Sequence, residues 1–253
     1  MALMSNEAVS INNLNFRYEG QSKSCFSNLN LAIGEGERFG LFGPNGAGKT
    51  TLMNCMCGLL SFNTGSIKLF GEEVKGNKEV NKIFGFVPQD FSFYQELSPA
   101  ENLEFFGAWS GLDKQQIKKR TTELLDVLGL TDVRDKQVQK FSGGMKRRVN
   151  LAIGVIHEPR ILFLDEPTVG VDVQTRKAII SYLKKLNSRG ITLIYTSHQL
   201  SEAEDLCDKI ALIDEGKIIV HDTLDKLLLE HKEKGLEGLF INLTGKAYRD
   251  SDV

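Results

Sequence analysis

The chain has 253 residues, 41% hydrophobic and 25% charged, enough for one large domain or two small ones and ordinary for a soluble globular protein. Its 31 Lys and Arg against 33 Asp and Glu leave a net charge of -2, so DNA or RNA, which draws a basic excess, is not expected as a main partner. No run approaches the ~18 apolar residues of a membrane span, no signal-peptide pattern is evident, and the four cysteines lack paired metal-ligand spacing, so reduced thiols in the cytosol are expected.

Taken in order, Val9, Ile11, Leu14 and Phe16 mark a strand within 8–18, and Phe26, Leu29, Leu31 and Ile33 a second within 25–33. Arg38–Phe42 reads as a short buried strand. It runs into Gly43-Pro44-Asn45-Gly46-Ala47-Gly48-Lys49-Thr50, and a helix with Leu52, Met53, Met56, Leu59 and Leu60 at helical spacing follows. A further strand pair is expected at Gly65–Phe70 and Ile83–Val87, with a turn at Gly71-Glu72. From Pro99 the pattern changes to three helix-like stretches, 100–109, 114–128 and 143–157. After Pro159 strands and helices alternate: strand 161–164, helix 175–186, strand 192–195, helix 201–207 and strand 209–213. The expected architecture is α/β, a mostly parallel sheet with an antiparallel β subdomain and a helical insertion at roughly 90–157. Within one domain this puts the core at 1–89 and 158–222, the helical part at 90–157 and a more polar tail at 223–253. The charge run 230–234 reads as a solvated helix end.

Residues 43–50 form a complete G-x-x-x-x-G-K-[ST] phosphate loop. Its glycines let successive backbone N–H groups turn inward on a triphosphate, with Lys49 reaching the β- and γ-phosphates and the Thr50 hydroxyl on magnesium. Downstream, Ile161-Leu162-Phe163-Leu164 is followed by Asp165 and Glu166, which puts two acids at the carboxyl edge of a parallel sheet. Asp165 suits magnesium held through water, and Glu166 suits a general base for an attacking water. The phosphate loop alone points to a nucleotide site over a chance glycine-rich turn, and the acids, which alone could be a strand ending at the surface, become a strong signal downstream of it.

Between them lies Phe141-Ser142-Gly143-Gly144-Met145, which resembles the Leu-Ser-Gly-Gly-Gln signature of the ATP-binding cassette (ABC) family. Ser142 is a good helix N-cap, and two adjacent glycines permit close approach of an anion to a helix start. Lys146, Arg147 and Arg148 then crowd an early helical turn, where the dipole disfavours cations; phosphates or carboxylates opposite would relieve that cost. A capped amphipathic helix with solvated bases explains Ser142 and the apolar stripe but not the paired glycines.

The resemblance covers about residues 8–222 and implies the following roles. Tyr18 would stack on adenine, Gln89 would sense magnesium and the attacking water, and His198 would contact the γ-phosphate. Asp172 would lie in a loop crossing a dimer interface. ATP and Mg2+ are the implied ligands. The implied assembly is a head-to-tail dimer, homodimeric or heterodimeric, in which Lys49, Thr50 and Thr51 of one chain and Ser142, Gly143 and Gly144 of the other clamp one ATP. A separate transmembrane permease is the implied partner, which would hold the chain at the cytoplasmic face of the membrane. Met145 departs from the commonest signature and, with the tail Leu236–Gly245, resembles the branch exporting drugs, sodium, lipids or surface polymers. Phe91, Phe93 and Tyr94 are expected at the groove that receives the permease; packing onto the core is their plainer reading. A soluble ABC ATPase scaffold acting in assembly is the competing function, whereas a kinase or GTPase leaves Ser142-Gly143-Gly144 unexplained.

Overall fold

The computed structural model describes residues 7–197 and 200–245. Two sheets carry the fold. The first is antiparallel, in the order β2-β1-β4-β5, from β1 (Glu7–Phe16), β2 (Phe26–Gly34), β4 (Thr64–Leu69) and β5 (Glu72–Glu73). The second has six strands in the order β10-β9-β3-β8-β7-β6. It comprises β3 (Arg38–Phe42), β6 (Phe84–Val87), β7 (Ile161–Asp165), β8 (Thr192–Thr196), β9 (Lys209–Asp214) and β10 (Lys217–Thr223). All its neighbours pair in parallel except β10, which runs antiparallel to β9 at the edge.

The helices are α1 (Lys49–Met56), α2 (Pro99–Trp109), α3 (Lys114–Val127), α4 (Gly143–Val155), α5 (Val173–Asn187), α6 (Leu200–Leu206), α7 (Leu224–His231) and α8 (Leu236–Thr244). Helices α2 to α4 fall between β6 and β7 in sequence, as the change of pattern at Pro99 implies. Local chemistry starts them: Ser98 with Glu101 and Asp113 with Gln116 form reciprocal capping boxes at α2 and α3. No helix among the described residues is long and apolar enough to cross a membrane.

β7 and β8 are buried along their whole length because the parallel sheet is covered on both faces. Their side chains alternate between two apolar cores. Ile161, Phe163 and Ile194 face the core shared with α1 and the antiparallel sheet. Leu162, Leu164, Leu193 and Tyr195 face the core shared with α4, α5 and α8.

Two sequence expectations change. The strands at 65–70 and 83–87 are not a pair: β4 joins β1 and β5 in the first sheet, and β6 joins β7 in the second. The turn at Phe70-Gly71, both at positive φ, reverses the chain into the two-residue β5, and a 3-10 turn at Lys78–Lys82 carries it across to the other sheet. The second change is at Lys217–Thr223, where β10 closes a hairpin on β9. Glu215 and Gly216, with φ 46 and 74, form its two-residue loop, and positive φ at both suits the strand twist.

Candidate active site

β3 delivers the chain into the phosphate loop. Gly43 leaves room for a passing strand, since a Cβ there would lie 2.0 Å from the Ile213 carbonyl oxygen of β9. At Gly48, φ is 108, and this left-handed turn starts α1 at Lys49. The first turn of α1 carries no acidic residue, so its N–H groups and positive dipole end stay available to an anion. Asn45 to Thr51 line a cavity of about 870 Å³ together with Tyr18, Gln89, Glu166 and Val169. That volume suits a bound small molecule. Gly43 and Pro44 form the base of the loop, where their carbonyls accept hydrogen bonds from Lys49 Nζ at 2.8 and 3.2 Å. Burial pushes the Lys49 ammonium below its ordinary range, and the charges of Glu166 and Asp165 oppose that shift.

The two acids stand where the strand pattern predicts. Asp165 ends β7 and is buried, its Oδ1 accepting from Thr196 Oγ1 at 2.6 Å. Glu166 follows with φ 48, a conformation that costs a non-glycine residue of order 1–3 kcal/mol. Its N–H donates to both the carbonyl and the hydroxyl of Thr196, each at 3.2 Å. Tyr18 lies at the cavity wall, its hydroxyl 2.8 Å from Thr51 Oγ1 and its ring edge-on to Phe16. Gln89 is exposed on the same cavity. In the parallel register Val87 pairs with Leu164 at the ends of the two strands, and Gln89 and Glu166 beyond them line the same cavity.

Ser142, Gly143 and Gly144 are not brought to this cavity. Ser142 caps α4, its Oγ accepting from the Met145 N–H at 3.3 Å. A Cβ on Gly144 would lie 3.2 Å from the Thr175 side chain, and one on Gly143 3.6 Å from the Gly170 carbonyl. The start of α4 therefore abuts the loop that leads into α5. There Asp172 is the N-cap, accepting from Thr175 N–H at 2.9 Å and Thr175 Oγ1 at 2.7 Å. Those bonds hold its carboxyl below the usual range. His198 lies outside the described residues.

Residues that pattern reading passed over complete the surroundings. Thr196 is thirty residues from the acids it holds, and only the register of β7 and β8 brings it there. Glu202 is buried, with Oε2 accepting from Thr168 Oγ1 at 2.5 Å, Tyr195 OH at 2.6 Å and Ser197 Oγ at 3.2 Å, and Oε1 paired with Arg176. The bases after the signature turn mainly to backbone carbonyls. Arg148 Nη1 reaches the Leu128 carbonyl at 2.9 Å, and the buried Arg147 reaches that of Gln89 at 2.7 Å. Desolvation lowers the pKa of Arg147, while Asp90 and Glu166 are close enough to pull it back up.

A phosphate loop after β3 and a carboxylate pair after β7, with β8 between those strands, define a phosphate-loop NTPase of the α/β class. The chain belongs to the ABC transporter family, whose profile matches residues 26–169. It is 42% identical over 202 residues to the linearmycin resistance ATP-binding protein LnrL of Bacillus subtilis, covering 79% of this chain and 65% of that one. A Nod factor export ATP-binding protein I of Rhizobium sp. is 38% identical, covering 83% and 69%, and the daunorubicin resistance ATP-binding protein DrrA3 of Streptomyces coeruleorubidus is 36% identical, covering 90% and 72%. The matched region is thus just under two thirds of LnrL. Among solved structures, an ATP-binding subunit of an ABC transporter superposes with a TM-score of 0.86 at 25% identity, covering 94% of this chain and 99% of that one. A dimeric ATP-binding cassette in a post-hydrolysis state, bound to ADP and Pi, superposes at 0.78 and 26%, covering 85% and 98%. Along most of its length the chain is similar to ATP-binding proteins named for drug resistance and export.

Proposed function

We propose that the chain hydrolyses ATP in a head-to-tail pair of ATPase subunits, identical or different, and drives export through a separate membrane permease that holds it at the cytoplasmic face. One observation carries the reading: the phosphate loop and Glu166 share a cavity that Ser142, Gly143 and Gly144 do not reach, so a signature turn that contacts phosphate must serve another chain's site. The dimeric neighbour supports that pairing. Relatives named for linearmycin and daunorubicin resistance and for Nod factor export support the outward direction.

Within the site, the N–H groups of 43–50 hold the phosphates, Lys49 leaves its loop carbonyls to pair with the β- and γ-phosphates, and the ring of Tyr18 carries adenine. Thr50 and Asp165 would hold Mg2+. They are hard oxygen donors, and no cluster of three or more acidic, His or Cys ligands occurs among the described residues, which fits an ion bound largely by phosphate and water. Bound there, Mg2+ supplies charge neutralisation on the phosphates. Glu166 takes the proton of the attacking water, Gln89 orients that water, and His198 contacts the γ-phosphate. Tyr94, Phe105 and Trp109 expose rings in contact with one another, and with Phe91 and Phe93 they offer the face for the permease.

The test is Glu166→Gln, which keeps the shape and removes the base. ATP binding should persist, steady-state turnover should nearly vanish, and the ATP-bound dimer should live longer on a sizing column. Turnover within a few-fold of wild type would remove Glu166 from this role.

A further inference from the structure

Arg147 is 4% exposed, on the side of α4 that faces the sheet. Its Nη1 donates to the carbonyls of Gln89 at 2.7 Å and Pro88 at 3.4 Å, and its Nη2 to the carbonyl of Val169 at 3.4 Å. The guanidinium carbon stands 4.8 Å from the centre of the Phe91 ring. Nearly one turn further along α4, Asn150 Nδ2 adds a bond to the Pro88 carbonyl at 3.1 Å. Burying a cation early in a helix is costly on two counts, desolvation and the helix dipole, and Arg147 Nε finds no hydrogen-bond partner among the described residues. Packing alone would be served better by an apolar side chain. What a guanidinium offers is a planar fork with fixed, diverging donors.

The two prongs go to two different loops. Gln89 and Val169 both line the nucleotide cavity. Gln89 shares that cavity with Glu166, and Val169 donates its N–H to the Glu166 carbonyl at 3.3 Å. We infer that Arg147 is a positioning residue for hydrolysis, its fork clamping the Gln89 loop and the Val169 loop to each other and to the helix that begins at the signature turn. The inference rests on the roles given above to Gln89 and Glu166. Arg147 touches no reacting atom; it fixes the backbone from which Gln89 reaches the attacking water.

The experiment compares kcat and KM for ATP in the full chain carrying Arg147→Met, Arg147→Lys, Gln89→Ala and the Gln89→Ala/Arg147→Met pair, with melting temperatures for each. Arg147→Met should lower kcat about 10²-fold, the scale of an ångström-sized misplacement, with KM within about threefold of wild type. Arg147→Lys restores charge without the fork and should stay close to the methionine variant. It carries the test alone if Arg147→Met does not fold. In the Gln89→Ala background Arg147→Met should add nothing, because both act on one step. Wild-type kcat in Arg147→Lys would show that charge alone matters and would overturn the clamp, as would penalties that multiply in the double variant. A Gln89→Ala enzyme with full kcat removes the role of Gln89 and the inference with it. An active Glu166→Gln enzyme removes the underlying hydrolysis reading instead, so the two failures are distinguishable.

Discussion

At the residue scale, one hydroxyl ties the carboxylate of Asp165 to the backbone of Glu166. Thr196 Oγ1 donates to Asp165 Oδ1 and accepts from the Glu166 N–H, and it is fully buried. Thr196→Val keeps the shape and removes both bonds. It should cost roughly 1–2 kcal/mol, since Asp165 is left one donor short in a dry place, and it should lower kcat more than it weakens ATP binding. Urea unfolding and steady-state kinetics check the two parts; wild-type stability would mean that water replaces the hydroxyl at no cost. The contrast with Lys49, Thr50, Asp165 and Glu166 explains what sequence can disclose. Those four sit in contiguous motifs because the chemistry needs adjacent residues on one loop or one strand end. Thr196 enters through strand pairing across thirty residues, and nothing in Thr192–Thr196 distinguishes it from an ordinary strand threonine. Arg147 was visible only as a local cost, a cation in an unfavourable turn. The carbonyls that compensate it belong to distant loops.

At the scale of elements, periodicity was a good guide wherever one segment met one environment. The three helices after Pro99 and the strands after Pro159 fall within a few residues of their expected places. Pairing was the weak point, because β4 and β6 are similar short apolar runs whose partners lie in different sheets. One contact that fixes β6 can be tested by pH. Just beyond α4, His157 donates Nε2–H to the Phe84 carbonyl at 2.9 Å, and its buried Nδ1 has no hydrogen-bond partner among the described residues. Burial pushes its pKa below the ordinary 6.5, and Arg120 pushes the same way against the Phe84 bond. The sign follows directly. Below about pH 6.5 the unfolded chain takes up a proton that the folded one resists, so stability falls with falling pH down to the folded pKa, at most about 1.4 kcal/mol per unit from this group. His157→Gln keeps a donor for Phe84 and removes the titration. Its urea midpoint should therefore drop less between pH 7 and pH 5.5 than that of the parent chain. Equal drops would assign the acid sensitivity to other groups, His221 foremost, whose pKa burial also lowers.

At the scale of the whole molecule, the parallel sheet separates two cores and presents the phosphate loop and both acids at one edge, while the helices after β6 carry the surface most exposed in aromatics. The sequence drew attention to Phe91, Phe93 and Tyr94, and burial divides them. Phe93 packs against the core, Phe91 lies under Arg147, and Tyr94 is 47% exposed. Tyr94 is edge-on to Phe105, which stacks on Trp109, itself 82% exposed. Phe105 and Trp109, four residues apart on α2, share one stripe, and only tertiary packing decides that the stripe faces outward. Rings left in water on this scale are costly unless another surface covers them. If the permease does so, Phe105→Ser and Trp109→Ser should leave the melting temperature of the isolated subunit unchanged and abolish co-purification of the permease. Phe93→Ser should behave oppositely, losing about 2 kcal/mol of stability by opening a gap against the core. Full recovery of the permease with both outward variants would move its docking face off this stripe, whereas lost stability in those variants would return Phe105 and Trp109 to the packing of the helices themselves.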